Sequence, residues 1–193
     1  LAYGMATVCF LIILALVGIG LLTTLVLNLW PDFGSHPAGE RLMKVETSTN
    51  FRDGGFVNLQ PTEVMREGGS TLETMQTFLF GKKSEDLEPY APVPFIQTDL
   101  AAIPDDVPVV VWFGHSSYLI KYRGKNILVD PVLSGYASPF SFLIKAFPGT
   151  NFYTSSNMPN IDLLIISHDH YDHLDYTTLK ELMGRIAHAV VPL

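Results

Sequence analysis

No Lys, Arg, Asp or Glu occurs before Asp32, so all 12 basic and 19 acidic residues lie in the remainder of this 193-residue chain. That asymmetry constrains folding more than any other feature. From Ala6 to Leu29 run 24 residues of mainly Ala, Val, Leu, Ile, Phe and Gly, with Thr7, Thr23, Thr24 and Asn28 the clearly polar exceptions. A helix rising about 1.5 Å per residue needs about 20 such residues to cross the hydrocarbon core, and a helix satisfies its backbone groups there without water. A cleavable signal has a basic leader and an apolar stretch of about 7–15 residues, so the pattern favours a retained transmembrane helix over residues 1–31. Trp30 suits the interface and Pro31 ends the helix. Arg41 and Lys44 follow it and no basic residue precedes it, which by the positive-inside rule places the rest in the cytoplasm as a single-pass membrane protein.

The overall 48% hydrophobic and 16% charged composition is that of a folded chain, not a disordered one. A formal charge of −7 opposes a broad phosphate-binding surface, so no nucleic acid is expected as a partner. The lone cysteine, Cys9, excludes a disulfide framework and a cysteine-based zinc site.

Residues 32–106 read as a linker or leader region, with Gly-Gly at 54–55 and 68–69, scattered Pro and no sustained period of two. A helix over Thr71–Phe80 is expected, with Ser70 as N-cap and Glu73 completing a capping box. Such a helix packs on the domain or on the bilayer. From Val107 to Leu193 the pattern becomes α/β. Val107–Phe113, Ser117–Tyr122 and Asn126–Val129 form a β-meander, with turn chemistry at Arg123-Gly124-Lys125-Asn126. A long aromatic-rich loop follows, then Ile161–Ser167, a nearly unbroken apolar run typical of a strand covered on both faces. Asp175 caps a helix over Tyr176–Met183 closed by Gly184, and Ala187–Leu193 begins another strand.

Directly after the buried strand stands His168-Asp169-His170-Tyr171-Asp172-His173. In extended chain, residues two apart share a side, so His168, His170 and Asp172 can converge, and a following turn brings His173 round. Neutral imidazoles with a carboxylate suit zinc, iron or manganese, which makes His168, His170, Asp172 and His173 the candidate metal ligands. His115, in a strand-to-strand bend after Gly114, either lines the site or caps the turn. Asp130, at a strand end, either holds the metal loop as hydrogen-bond acceptor or simply forms a turn. His188 and His36 read as an ordinary partly buried imidazole and a solvated linker residue.

His-x-His-x-Asp-His after an apolar strand resembles the metallo-β-lactamase superfamily. Val111-Trp112-Phe113-Gly114-His115-Ser116-Ser117, Leu128-Val129-Asp130-Pro131, Ala137-Ser138-Pro139 and Asp162 through Asp175-Tyr176 resemble one branch, the N-acylphosphatidylethanolamine-hydrolysing phospholipase D-like proteins. Parts are shared with L-ascorbate 6-phosphate lactonases. The likeness runs from about Pro92 to Leu193. It implies an αββα sandwich, here an incomplete first half, with two zinc ions: His168 and His170 on the first, Asp172 and His173 on the second. The remaining ligands of that pattern, two His and a bridging Asp, have no match after His173, so a fragment of a longer protein is expected, and little hydrolysis from these residues alone.

The expected chemistry follows from charge. Two divalent ions lower the pKa of water towards about 7, no Ser or Cys nucleophile is needed, and Asp172 is the catalytic candidate that orients the nucleophile or takes its proton. The leading reading is therefore a membrane-anchored, zinc-dependent phosphodiesterase whose partners are the bilayer and an N-acylated phosphatidylethanolamine. Two alternatives are a hydrolase of lactones, lactams or thioesters, taking a small-molecule ester-like substrate, and a truncated, non-catalytic membrane protein.

Overall fold

The computed structural model describes residues 2–62, 68–82 and 87–193. By its internal contacts the chain divides into two units, Leu1–Met43 and Lys44–Leu193, whereas the sequence suggested divisions after residues 31 and 106.

The first unit is dominated by α1 (Ala2–Leu29). Within it Gly4–Leu29 has a mean hydropathy of 2.8 and none of its most apolar stretch is buried. Its length and composition meet the requirements of a membrane span and of a signal sequence alike. Thr24 Oγ1 and Asn28 Nδ2 donate to the carbonyls of Gly20 and Thr24, one helical turn back, which offsets part of their cost in an apolar medium. A helical turn, α2 (Gly39–Glu46), crosses the division between the units.

The second unit begins with a small hairpin, β1 (Phe51–Arg52) and β2 (Gly55–Phe56). Asp53 and Gly54 both take positive φ, the turn that Asp-Gly favours, and Phe51 and Phe56 meet edge-on with centroids 5.2 Å apart. The sequence, read as linker or leader over residues 32–106, suggested no strand there. Helix α3 (Thr71–Phe80) has the expected bounds, but the Ser70 side chain makes no capping hydrogen bond, so the expected capping box does not form.

The body of the unit is one five-stranded sheet in sequential order: β3 (Val109–Gly114), β4 (Ser117–Tyr122), β5 (Lys125–Val129), β6 (Ile161–Ile165) and β7 (Ile186–Val190). The first three strands are antiparallel, whereas β5, β6 and β7 are mutually parallel. That switch requires crossovers, supplied by residues 130–160 and by α4 (Tyr176–Leu182). One sheet face carries Leu119, Leu128 and Leu164, which cluster with Phe113, Leu133, Met158, Ile161 and Leu182 as the core. The other face leaves Val110 and Trp112 exposed on β3 and Val190 exposed on β7.

Residues just before Val107 belong to this core. Leu100 is 2% exposed, and buried Lys121 donates to the carbonyls of Leu100 and Ala101 at 2.6 and 3.1 Å. Those two bonds satisfy an ammonium that burial would otherwise penalise heavily. Tyr153 fastens the same segment, its hydroxyl accepting from the Thr98 amide and donating to the Ile96 carbonyl. Gly149 is required where it stands: its φ is +91°, and a Cβ there would lie 2.1 Å from the Val93 carbonyl oxygen.

Candidate metal centre

Three segments meet at one end of the sheet. Because β5 and β6 are parallel, with Val129 opposite Ile165, their carboxyl ends deliver Asp130 and Ser167–His173 to the same edge. Because β4 is antiparallel to β5, with Tyr118 opposite Val129, the β3–β4 turn that carries His115 lies at that edge too. This is the end where sheets with parallel strands commonly place ligands.

Asp130 organises the edge. It takes φ +42°, an unfavourable value for a residue with a Cβ, and its amide donates to the Ile165 carbonyl. Ser117 holds that backbone in place, donating to the Asp130 carbonyl at 2.7 Å and accepting from the Val132 amide at 3.0 Å. The carboxylate accepts from the Ser167 amide at 2.7 Å, the Ser167 hydroxyl at 2.6 Å and His173 Nδ1 at 2.9 Å. Burial alone would push its pKa up. The hydrogen bonds from His173 and Ser167, aided by the attraction of the His173 ring, outweigh that and hold it below the ordinary carboxylate value. The sequence left Asp130 open between loop holder and turn former, and in the structure it does both.

These bonds fix the imidazoles. An ionised carboxylate only accepts, so His173 Nδ1 carries the hydrogen, and in the neutral ring Nε2 is the nitrogen left to ligate. Ser167 gives its single proton to Asp130, so His168 Nδ1, 3.0 Å from Ser167 Oγ, is the donor there and its Nε2 is likewise free. Two imidazoles are thereby set in the form a divalent cation needs.

The segment does not run extended, as the alternating spacing suggested. His173 and Leu174 both donate to the His170 carbonyl, closing a turn. The turn brings the rings of His168 and His173 together, tilted, with centroids 3.9 Å apart, and those of His168 and His170 edge-on at 4.6 Å. Asp172 is sent towards the β3–β4 turn, where its Oδ2 lies 3.0 Å from His115 Nε2 and 3.9 Å from His173 Nε2. The three donors of His115, Asp172 and His173 all lie within 4.8 Å of one another. His168 and His170 stand beside that trio, not in it. His188 is exposed on β7, paired with Leu163, and His36 is exposed in the first unit.

Behind the turn, Asp175 is wholly buried. It caps α4 through the Thr178 amide and hydroxyl and also accepts from the Ser134 amide, while Thr178 accepts from the Leu133 amide. The helix start, the turn that precedes it and the loop after β5 are thus joined through one carboxylate.

Residues 109–191 match the model of the beta-lactamase superfamily domain. A mycobacterial protein of uncharacterised role, from Mycobacterium tuberculosis, is 35% identical over 149 residues, covering 77% of this chain and 40% of that one. The N-acyl-phosphatidylethanolamine-hydrolyzing phospholipase D 1 of Caenorhabditis elegans is 33% identical over 76 residues, 37% of this chain and 20% of that. A UPF0173 metal-dependent hydrolase of Saccharolobus solfataricus is 33% identical over 66 residues, 34% of this chain and 24% of that. Among solved structures, CmlA, a diiron beta-hydroxylase from Streptomyces venezuelae, aligns with a TM-score of 0.35 and 33% identity, covering 47% of this chain and 16% of that. The chain therefore spans less than half the length of the curated relatives it matches.

Proposed function

We propose that residues 109–191 are part of a divalent-metal-dependent hydrolase, and that the complete protein is a membrane-anchored phosphodiesterase acting on an N-acylated phosphatidylethanolamine. The observation that carries the metal reading is the pair of imidazoles, His168 and His173, each held through Nδ1, with His173 Nε2 3.9 Å from the Asp172 carboxylate. Donor chemistry of this kind, imidazole nitrogen with carboxylate oxygen, fits zinc and fits iron. When bound, such ions supply Lewis acidity and lower the pKa of water. The chain's own residues would then bind and orient: His168 and His170 on one ion, Asp172 and His173 on the other, with Asp130 locking the turn and Asp172 placed to accept a proton from water.

The lipid substrate is supported by the resemblance to the worm phospholipase and by an apolar helix suited to a bilayer. Tethering would confine the site to the surface where a phospholipid is concentrated. The complete gene product, presented with N-acylphosphatidylethanolamine vesicles and separately with a panel of lactones and thioesters, tests this. Release of phosphatidic acid and N-acylethanolamine, abolished by chelation and by His168→Ala with His170→Ala, is the expected result. Turnover of lactone alone would move the protein to the other substrate class, and turnover untouched by either treatment would remove metal from the mechanism.

A further inference from the structure

We propose that His115 is a metal ligand, so that His115, Asp172 and His173 make a three-donor cation site distinct from the His168/His170 pair. The inference rests on the reading that this centre takes divalent cations. Its starting point is distance. In a tetrahedral zinc site with bonds of about 2.0–2.2 Å, neighbouring donors lie about 3.3–3.6 Å apart. The two separations to Asp172 Oδ2, 3.0 Å from His115 Nε2 and 3.9 Å from His173 Nε2, bracket that spacing. All three donors lie within 4.8 Å of one another.

The second argument is polarity. His173 gives its Nδ1 hydrogen to Asp130, which leaves Nε2 as the ring nitrogen on the side of the Asp172 carboxylate. Nitrogen and carboxylate oxygen together are the donor types a divalent cation takes. His115 brings a second nitrogen to the same carboxylate oxygen from 57 positions earlier in the sequence.

The third argument is how His115 is held. It is the first of the two residues joining Gly114 to Ser117 and takes φ +45°, a value that turns of this kind usually give to Gly, Asn or Asp. The Trp112 indole donates to its carbonyl at 2.8 Å and fixes the turn. A histidine kept in a conformation that favours glycine, with its ring directed at a carboxylate, is placed for its side chain rather than for its backbone.

The test uses the full chain in detergent, with Zn2+ and Co2+ as probes. His115→Gly removes the ring while suiting the backbone, and His115→Gln keeps a polar side chain without an imidazole. His36→Ala, at an exposed site in the other unit, controls for adventitious imidazole binding. Loss of a hydrogen-bond partner behind a ligand typically costs about 10–100-fold in affinity, so loss of a ligand should cost at least about tenfold. Both His115 variants should show that loss and an altered visible Co2+ spectrum, with an unchanged far-UV circular dichroism spectrum, while His36→Ala matches the parent. If both His115 variants bind as the parent does while Asp172→Ala loses the ion, His115 is not a ligand although the metal reading stands. If the parent binds neither ion, the metal reading and this proposal fall together.

Discussion

At the scale of single residues, the edge of the sheet depends on Asp130 more than on any histidine. It sits 5% exposed with three donors converging on its carboxylate, and it decides which nitrogen of His173 faces outward. Asp130→Asn keeps the shape but offers His173 Nδ1 one carbonyl oxygen in place of a charged pair. Zinc affinity, read by competition with a chromophoric chelator, should fall by about 10–100-fold, with the fold retained. The sequence raised Asp130 only as one of two readings, because a strand-end Asp before Pro131 also makes an ordinary turn. It left His115 open for a similar reason: the value of its ring depends on Asp172, which only the folded chain brings to it.

At the scale of elements, the strands were legible because their composition and their burial agree. Ser117–Tyr122 alternates in sequence and alternates buried with half-buried in the sheet. The hairpin β1–β2 was missed although Asp53-Gly54 signals it, because two-residue strands show no period. The cap on α4 was legible and proves to serve more than the helix. Asp175→Ala would strand the amides of Ser134 and Thr178 in the core, so a loss of about 2–4 kcal/mol is expected from the urea midpoint. Gly149→Ala should cost at least about 2 kcal/mol in the same measurement, since the Val93 backbone leaves no room and φ is positive. Asp162 joins β5 to β6, accepting from the Lys125 ammonium at 2.7 Å and the Asn126 amide at 2.9 Å. The bond from Lys125, then that from Asn126, lowers its pKa in the fold. The unfolded chain therefore binds the proton first as pH falls below about 4, so this contribution is present at neutral pH and lost through the folded value. Asp162→Asn should flatten that acid decline in stability measured from pH 6 to pH 2.5.

At the scale of the whole molecule, an apolar helix with the length and composition of a membrane span or a signal sequence precedes a polar α/β unit. Flotation with anionic and neutral vesicles tests the anchor: the parent chain should float with both, whereas deletion of residues 2–29 should leave it in the bottom fraction with its zinc affinity intact. The first outcome failing would remove the membrane from the functional reading without touching the metal centre. The apolar N-terminal helix, the succession of strands and the His168–His173 cluster could be read directly from the sequence, because each is expressed by neighbours within one turn or one pleat. The tertiary structure decided what depends on separate segments meeting. It folded Leu100 beneath Lys121, turned Asp172 towards His115 rather than along the line of His168 and His170, and set the imidazole tautomers through Asp130. Those outcomes follow from a parallel register that places the ends of β5 and β6 side by side, and spacing along the chain carries no record of that adjacency.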